Sequence, residues 1–197
     1  MDNEYQDILS YWFSGDQQDA PKLDSRMELW FGTDSVTDRE IKDRFGEQVR
    51  AALQGKLNHW SKTPQGRLAL ILLLDQFARR CFRGRKEAYA GDALALQLCA
   101  KGATNEMHRE LTAEQRLFFF MPLQRAESNK IQERSVKVYQ ALVKRVSATM
   151  RETFETFAMI AELRKDIIAE YGRFPHRNEA LGRANTESES QVLAAAA

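Results

Sequence analysis

The feature that most constrains this chain is an unbroken apolar run, Leu68-Ala-Leu-Ile-Leu-Leu-Leu74, introduced by Thr63-Pro64 and followed at once by Asp75-Gln-Phe-Ala-Arg-Arg80. A run with no polar face must be covered on both sides as a strand, or on several sides as a helix. Proline fits the first turn of a helix, where its missing N–H is not needed, and a threonine before it is an N-cap. The run continues to Phe82 with little β-branching, so the spacing predicts a central helix. Such a helix needs a shell of other elements around it.

Apolar spacing supplies helices for that shell. Tyr5, Ile8, Leu9, Trp12 and Phe13 form one stripe of a short first helix. Thr37-Asp-Arg-Glu40 reads as a capping box opening a helix with Ile41, Phe45, Val49 and Leu53 inward, and Gly55 is placed to end it. Asp92, Ala93–Lys101 and Gly102 read as cap, helix and stop, and Thr112-Ala-Glu-Gln115 as a second capping box. The run Leu117–Met121 is expected to stop at Pro122. A long helix from about Glu127 presents Ile131, Val138, Leu142 and Val146. The next, Glu152 to Tyr171, turns Phe154, Phe157, Ala161, Ile168 and Tyr171 inward and ends at Gly172. Thr186-Glu-Ser-Glu189 opens a last short helix.

No alternating pattern of strand length appears, and no exact repeat. The expected fold is all-α: a single-domain array of helical hairpins, about eight to ten helices, over residues 1–193. Residues 194–197, four alanines, are expected to be a disordered tail.

Charge and cysteine usage narrow the function classes. Lys and Arg number 29 against 28 Asp and Glu, which gives no global pull toward nucleic acid or acidic membranes. No apolar run reaches the ~20 residues a bilayer requires, and the acidic start MDNEYQDILSYWF lacks the basic opening of a secretory signal. Cys81 and Cys99 match neither a disulfide framework nor a metal-ligand spacing. The chain is therefore expected to be a soluble cytoplasmic protein with no metal or cofactor, no nucleic-acid partner and no membrane partner. Its oligomeric state stays open.

Three stretches concentrate polar chemistry. The first is Asp75, Gln76 and Arg79, with Asp75 and Arg79 four apart on one helix face; it reads either as a buried network tying helices together or as part of a site. Arg79 to Lys86 continues it as a basic run, a phosphate holder or simply a solvated helix end. The second is Gln124-Arg125-Ala-Glu127 after Pro122, with Gln132 beyond; Glu127 can also favour the following helix dipole from its N-terminus. The third is Gly172-Arg-Phe-Pro-His176-Arg177-Asn178 with Leu181-Gly-Arg183, a loop dense in donors suited to a carboxylate or phosphate. Its alternative role is to cap neighbouring carbonyls and pin the C-terminal helix. Residues 116–183 carry 13 basic and 8 acidic residues, which favours an anionic ligand over a cationic one.

These stretches resemble bacterial domain-of-unknown-function family 924. The resemblance rests on LALILLLDQFARRCFRG (68–84) with Asp92, FFFMPL (118–123) with Glu127 and Gln132, and IIAEYGRFPHRNEALGR (167–183). It covers nearly the whole chain and implies an all-helical, tetratricopeptide-like fold without an assigned reaction. The family pattern reads DQFPRN where this chain has Asp75-Gln-Phe-Ala-Arg-Arg80, and has histidines where this chain has Arg125 and Arg164. Arginine is neither a metal ligand nor an ordinary general base, so histidine chemistry there is expected to be lost.

The leading expectation is an arginine-rich polar pocket for a small anionic molecule or an acidic peptide end. Arg79, Arg125, Arg164 and Arg177 would clamp the anion; Asp75, Gln76, Glu127 and Asn178 would orient it, with Gln132, His176 and Arg183 completing the lining. The alternatives are a hydrolase or lyase using Glu127 or Asp75 with His176, and a scaffold presenting helical hairpins to a protein partner.

Overall fold

The computed structural model describes residues 4–13, 21–32 and 34–195, with the side chains of 21–25 left aside. Among them every regular element is helical. In chain order these are α1 (Gln6–Phe13), α2 (Pro21–Phe31), α3 (Ser35–Leu53), α4 (Pro64–Ile71), α5 (Ala78–Cys81), α6 (Asp92–Thr104), α7 (Ala113–Phe119), α8 (Met121–Arg125), α9 (Asn129–Val143), α10 (Ala148–Tyr171) and α11 (Glu187–Ala195). Ala194 and Ala195 belong to α11, while the last two alanines of the tail lie outside the described residues. The chain forms two compact units, Met1–Arg83 with Glu87–Pro122, and Gly84–Lys86 with Leu123–Ala197.

The first unit is built round the apolar run. Thr63 caps α4, its hydroxyl accepting from the Gly66 N–H at 3.1 Å, and Pro64 opens the helix. Leu68 to Leu74 are all buried. Between α4 and α5 the helix passes through a π turn, Leu72–Phe77, in which the Ala78 N–H reaches the Leu73 carbonyl. Around it lies an aromatic cluster: Trp12 is 5.2 Å from Phe77 and 5.6 Å from Phe118, and Trp30 is 4.7 Å from Phe118. The Trp30 indole N–H donates to the Trp12 carbonyl at 3.0 Å.

The second unit is dominated by the α9–α10 hairpin, with Tyr139 stacked near-parallel to Phe157. Gly172, at φ +69°, ends α10 in the left-handed region, and its N–H returns to the Ile168 carbonyl. At the entry to α11, Thr186 and Glu189 exchange bonds in both directions, a reciprocal cap.

Several boundaries differ from expectation. The cap of α3 is Asp34, which accepts from the Val36 and Thr37 N–H groups, so the helix opens three residues before the expected box. Gly102 lies inside α6 and does not stop it; a Cβ there would meet Arg67 Cδ at 2.6 Å and Phe119 Cζ at 2.7 Å, so its role is close packing. The helix α7 ends at Phe119, before the expected stop, and Pro122 does not end it: Met121 opens the next helix, α8, and Pro122 sits in its first turn, where its ring is tolerated. The inward stripe of α9 is Gln132, Ser135, Tyr139 and Leu142; Ile131 and Val138 are half-buried, and Val146 lies past the helix end.

Candidate functional site

In the first unit the π turn decides the geometry. An extra residue in one turn changes which side chains face inward. Asp75 is 1 % and Gln76 7 % exposed, and the Gln76 amide donates to the Asp75 carboxylate. Arg79, one turn on, places Nη1 2.7 Å from the Asp75 carbonyl and 2.9 Å from its Oδ1. Its Nη2 bonds both oxygens of Asp92 at 2.8 and 2.9 Å, and its guanidinium lies 5.3 Å from the Tyr89 ring centre. Burial works against its charge, but the Asp75 and Asp92 carboxylates outweigh it and raise its pKa above the ordinary arginine value. The Gly91 backbone lies so near the π turn that a Cβ would meet the Leu74 carbonyl at 2.5 Å. Both terminal nitrogens of Arg79 are thus committed to oxygens of the chain itself.

The basic run beyond it is also internally engaged. Arg80 and Arg83 both bind Asp38, at 3.1 and 2.5 Å, leaving Arg85 and Lys86 exposed at the end. Burial pushes the Asp38 carboxyl up, yet the two guanidinium groups prevail and lower it. Burial drives the Cys81 thiol up to about 11, which makes it a poor nucleophile, and Cys99 is buried as well.

In the second unit the expected residues fall into two groups. Gln124 spans α8 and α10: its amide donates to the Phe157 carbonyl at 3.3 Å, while its oxygen accepts from Arg164 at 2.5 Å. Gln132 donates to the Ala126 and Gln124 carbonyls at 2.7 and 3.1 Å, satisfying the end of α8. The Nε of Arg125, in the last turn of α8, is buried.

The other group is the loop after α10. Glu127 accepts the Phe174 N–H at 2.9 Å and the two arms of the Arg183 fork at 2.7 and 3.1 Å. Arg177 stacks 4.5 Å from the Phe174 ring centre. Burial alone would raise the Glu127 carboxyl; Arg183, the Phe174 N–H and Arg177 together hold it below the ordinary value. Asn178 is buried and donates to the Asn185 side chain at 2.7 Å. Arg173 forks onto Glu189 at 2.6 and 2.8 Å and bonds the Ala184 carbonyl. His176 is exposed, its ring 5.6 Å from that of Phe174.

Chemically, then, the donor-rich loop already holds carboxylates, and they are the chain's own Glu127 and Glu189. A carboxylate held down in this way is a weak general base. Among the described residues, no three His, Cys, Asp or Glu side chains come together as a metal-ion set. Sequence reasoning missed the Arg173–Glu189 pair, whose partners lie sixteen residues apart with no periodic signal. It also missed the surface feature of this unit, a groove of about 480 Å³ between α9 and α10.

An all-helical chain of this kind, with no described helix long and apolar enough to cross a membrane, defines a class before a family. The family model for bacterial proteins of unknown function, DUF924, matches residues 8–197, and the chain belongs to that family. A solved structure of a protein of unknown function, ATU0120 from Agrobacterium tumefaciens, is similar to it, with 32% identity, 96% of each chain covered and a TM-score of 0.79. No protein of curated function matches the chain.

Proposed function

We propose that this protein is an interaction module whose docking element is the α9–α10 hairpin. The observation that carries the reading is the groove between those helices, with Val143, Ala158 and Met159 along it and Gln140, Lys144, Glu155 and Glu162 at its rims. Met159 is 61 % exposed, and Leu163, four residues on, is 60 % exposed. Apolar surface left in water is unfavourable by roughly 25 cal/mol per Å², so a partner that covers it gains that much. A photo-crosslinking residue placed at 159 is expected to give discrete protein adducts in cells, while the same residue at Val36, exposed in the other unit, gives none. No adducts from 159, or the same set from both positions, would remove the reading.

A second reading keeps an anionic ligand, favoured by the carboxylate cradle formed by Arg183 and the Phe174 N–H. An acidic peptide end or small carboxylate would take the place of Glu127. In Glu127→Ala, acetate is then expected to restore part of the lost thermal midpoint while leaving the parent protein unmoved. Equal responses of the two proteins would discard it.

A further inference from the structure

We infer that the occupant of the α9–α10 face is a basic amphipathic segment of a partner protein; this rests on the docking reading above. Residues 152, 155, 159, 162 and 166 follow one another at steps of three and four, so they form one stripe on α10. In that stripe Glu152, Glu155, Glu162 and Asp166 are exposed along the line of Met159, with Leu163 beside it. Glu162 accepts from the Gln140 amide at 2.9 Å and Asp166 pairs with Lys165 at 3.1 Å, so Glu152 and Glu155 carry the open charge. Glu170 continues the acidic side one turn on; the opposing charges on the helix are Arg151 at its start, Arg164, which bonds Gln124, and Lys165, which pairs with Asp166.

Among the described residues Glu152 and Glu155 have no ion-pair partner, although Lys144 lines the same groove as Glu155. Their charge is therefore not consumed within the hairpin. The helix spans 24 residues, about 36 Å, room for a partner helix of several turns.

The surface calls for apolar side chains at helical spacing to cover Met159 and Leu163, with Lys or Arg on the edge that meets the glutamates. The opposite edge, which faces Lys144, must be apolar or acidic. A second copy docking α10 against α10 would set these carboxylates against one another, so like-charge repulsion disfavours it.

The test uses the full chain and two synthetic helical peptides of about five turns with the same leucine pattern, one with lysines and one with glutamates on the polar face. Fluorescence anisotropy at low salt is expected to show the lysine peptide binding and the glutamate peptide not. Adding salt should weaken that binding about tenfold, because exposed pairs are screened. Glu155→Lys/Glu162→Lys should reverse the preference, and Met159→Ser should weaken the lysine peptide without altering any charge.

Equal binding of both peptides overturns the inference, as does lysine-peptide binding unaffected by the charge swap or by Met159→Ser. A concentration-dependent dimer lost in Met159→Ser also overturns it, yet leaves the docking reading standing. If no peptide binds and a crosslinker at 159 yields no adduct, both fall together.

Discussion

The two units solve the problem of an interior differently. The first packs Trp12, Trp30, Phe45, Phe77 and Phe118 round a fully apolar run. It neutralises the charges it buries in ion pairs, Asp75 with Arg79, Arg26 with Glu114 and Arg80 with Asp38, while Arg67 bonds backbone carbonyls. The second places the neutral Gln124, Gln132, Ser135 and Asn178 in its interior beside Arg177 and Glu189, and the Gln132 amide closes the end of α8 on the Gln124 and Ala126 carbonyls. An apolar interior tolerates loss of a methyl group at modest cost, whereas a polar one fails wherever a single donor is lost. The difference also fixes the probes: all three tryptophans, Trp12, Trp30 and Trp60, belong to the first unit. Tryptophan emission therefore follows that unit, and far-UV circular dichroism follows both.

The largest expected effect is at Arg79. Removing it in Arg79→Ala leaves the Asp75 carboxylate without its guanidinium in an apolar interior, a loss of about 3–5 kcal/mol. The midpoint of urea unfolding followed by tryptophan emission measures it. Asp75→Leu/Arg79→Met, which removes both charges, is expected to recover most of the loss. A double variant as unstable as the single one would contradict this account of the first interior.

Next in size is Gln132→Leu, which takes the donor from carbonyls at the end of α8 and is expected to cost about 1–3 kcal/mol. Circular dichroism should register it. The contrasting change, Ile71→Val in the apolar run, should cost about 0.5–1.5 kcal/mol. A reversed order would erase the distinction between the interiors.

Acid should separate the units further. The fork of Arg173 and the Thr186 N–H hold Glu189 at about 2, and Glu127 is held low as well, against about 4.3 for an unfolded glutamate. Folded values below the unfolded one mean a stabilising contribution that is complete above the unfolded pKa and disappears as pH falls toward the folded one. Between pH 4 and about 2 the second unit is expected to lose helicity first. Asp38 in the first unit is lowered too, so tryptophan emission should change afterwards. Arg173→Ala should move the first step to higher pH; an unmoved step would mean that the pair does not anchor α11.

The smallest contrast concerns caps. Thr63 bonds the Gly66 N–H, whereas Ser147 at the start of α10 makes no side-chain cap bond. Thr63→Ala should cost about 1 kcal/mol, and Ser147→Ala close to nothing, in matched denaturant curves.

What was legible follows from where each signal resides. Caps and stops are local: Thr63, Thr112 and Thr186 sit within three residues of the groups they bind, and Gly172 ends α10 by its own φ. The stripe of α9 was misplaced because Gln132 and Ser135 look like surface residues until a neighbouring helix offers them an interior. The π turn left no spacing signal, since the run Leu68–Leu74 leading into it is apolar at every position and nothing in it marks the register in which Asp75 and Gln76 are carried inward. The candidate site divides in the same way. Residue types and the donor density of the 172–183 loop were visible, but which carboxylates the arginines would meet was not.

The sequence by itself determined that this chain is helical, where its central helix begins, and which stretches carry polar chemistry, because periodicity and capping act over one or two turns. Only the tertiary structure decided that Asp92 completes the Arg79 fork, that Glu127 and Glu189 fill the cradle of the last loop, and that α9 and α10 leave an apolar groove between acidic and basic rims. Ion-pair partners and grooves depend on distances across space between residues many positions apart, and spacing along the chain does not encode those distances.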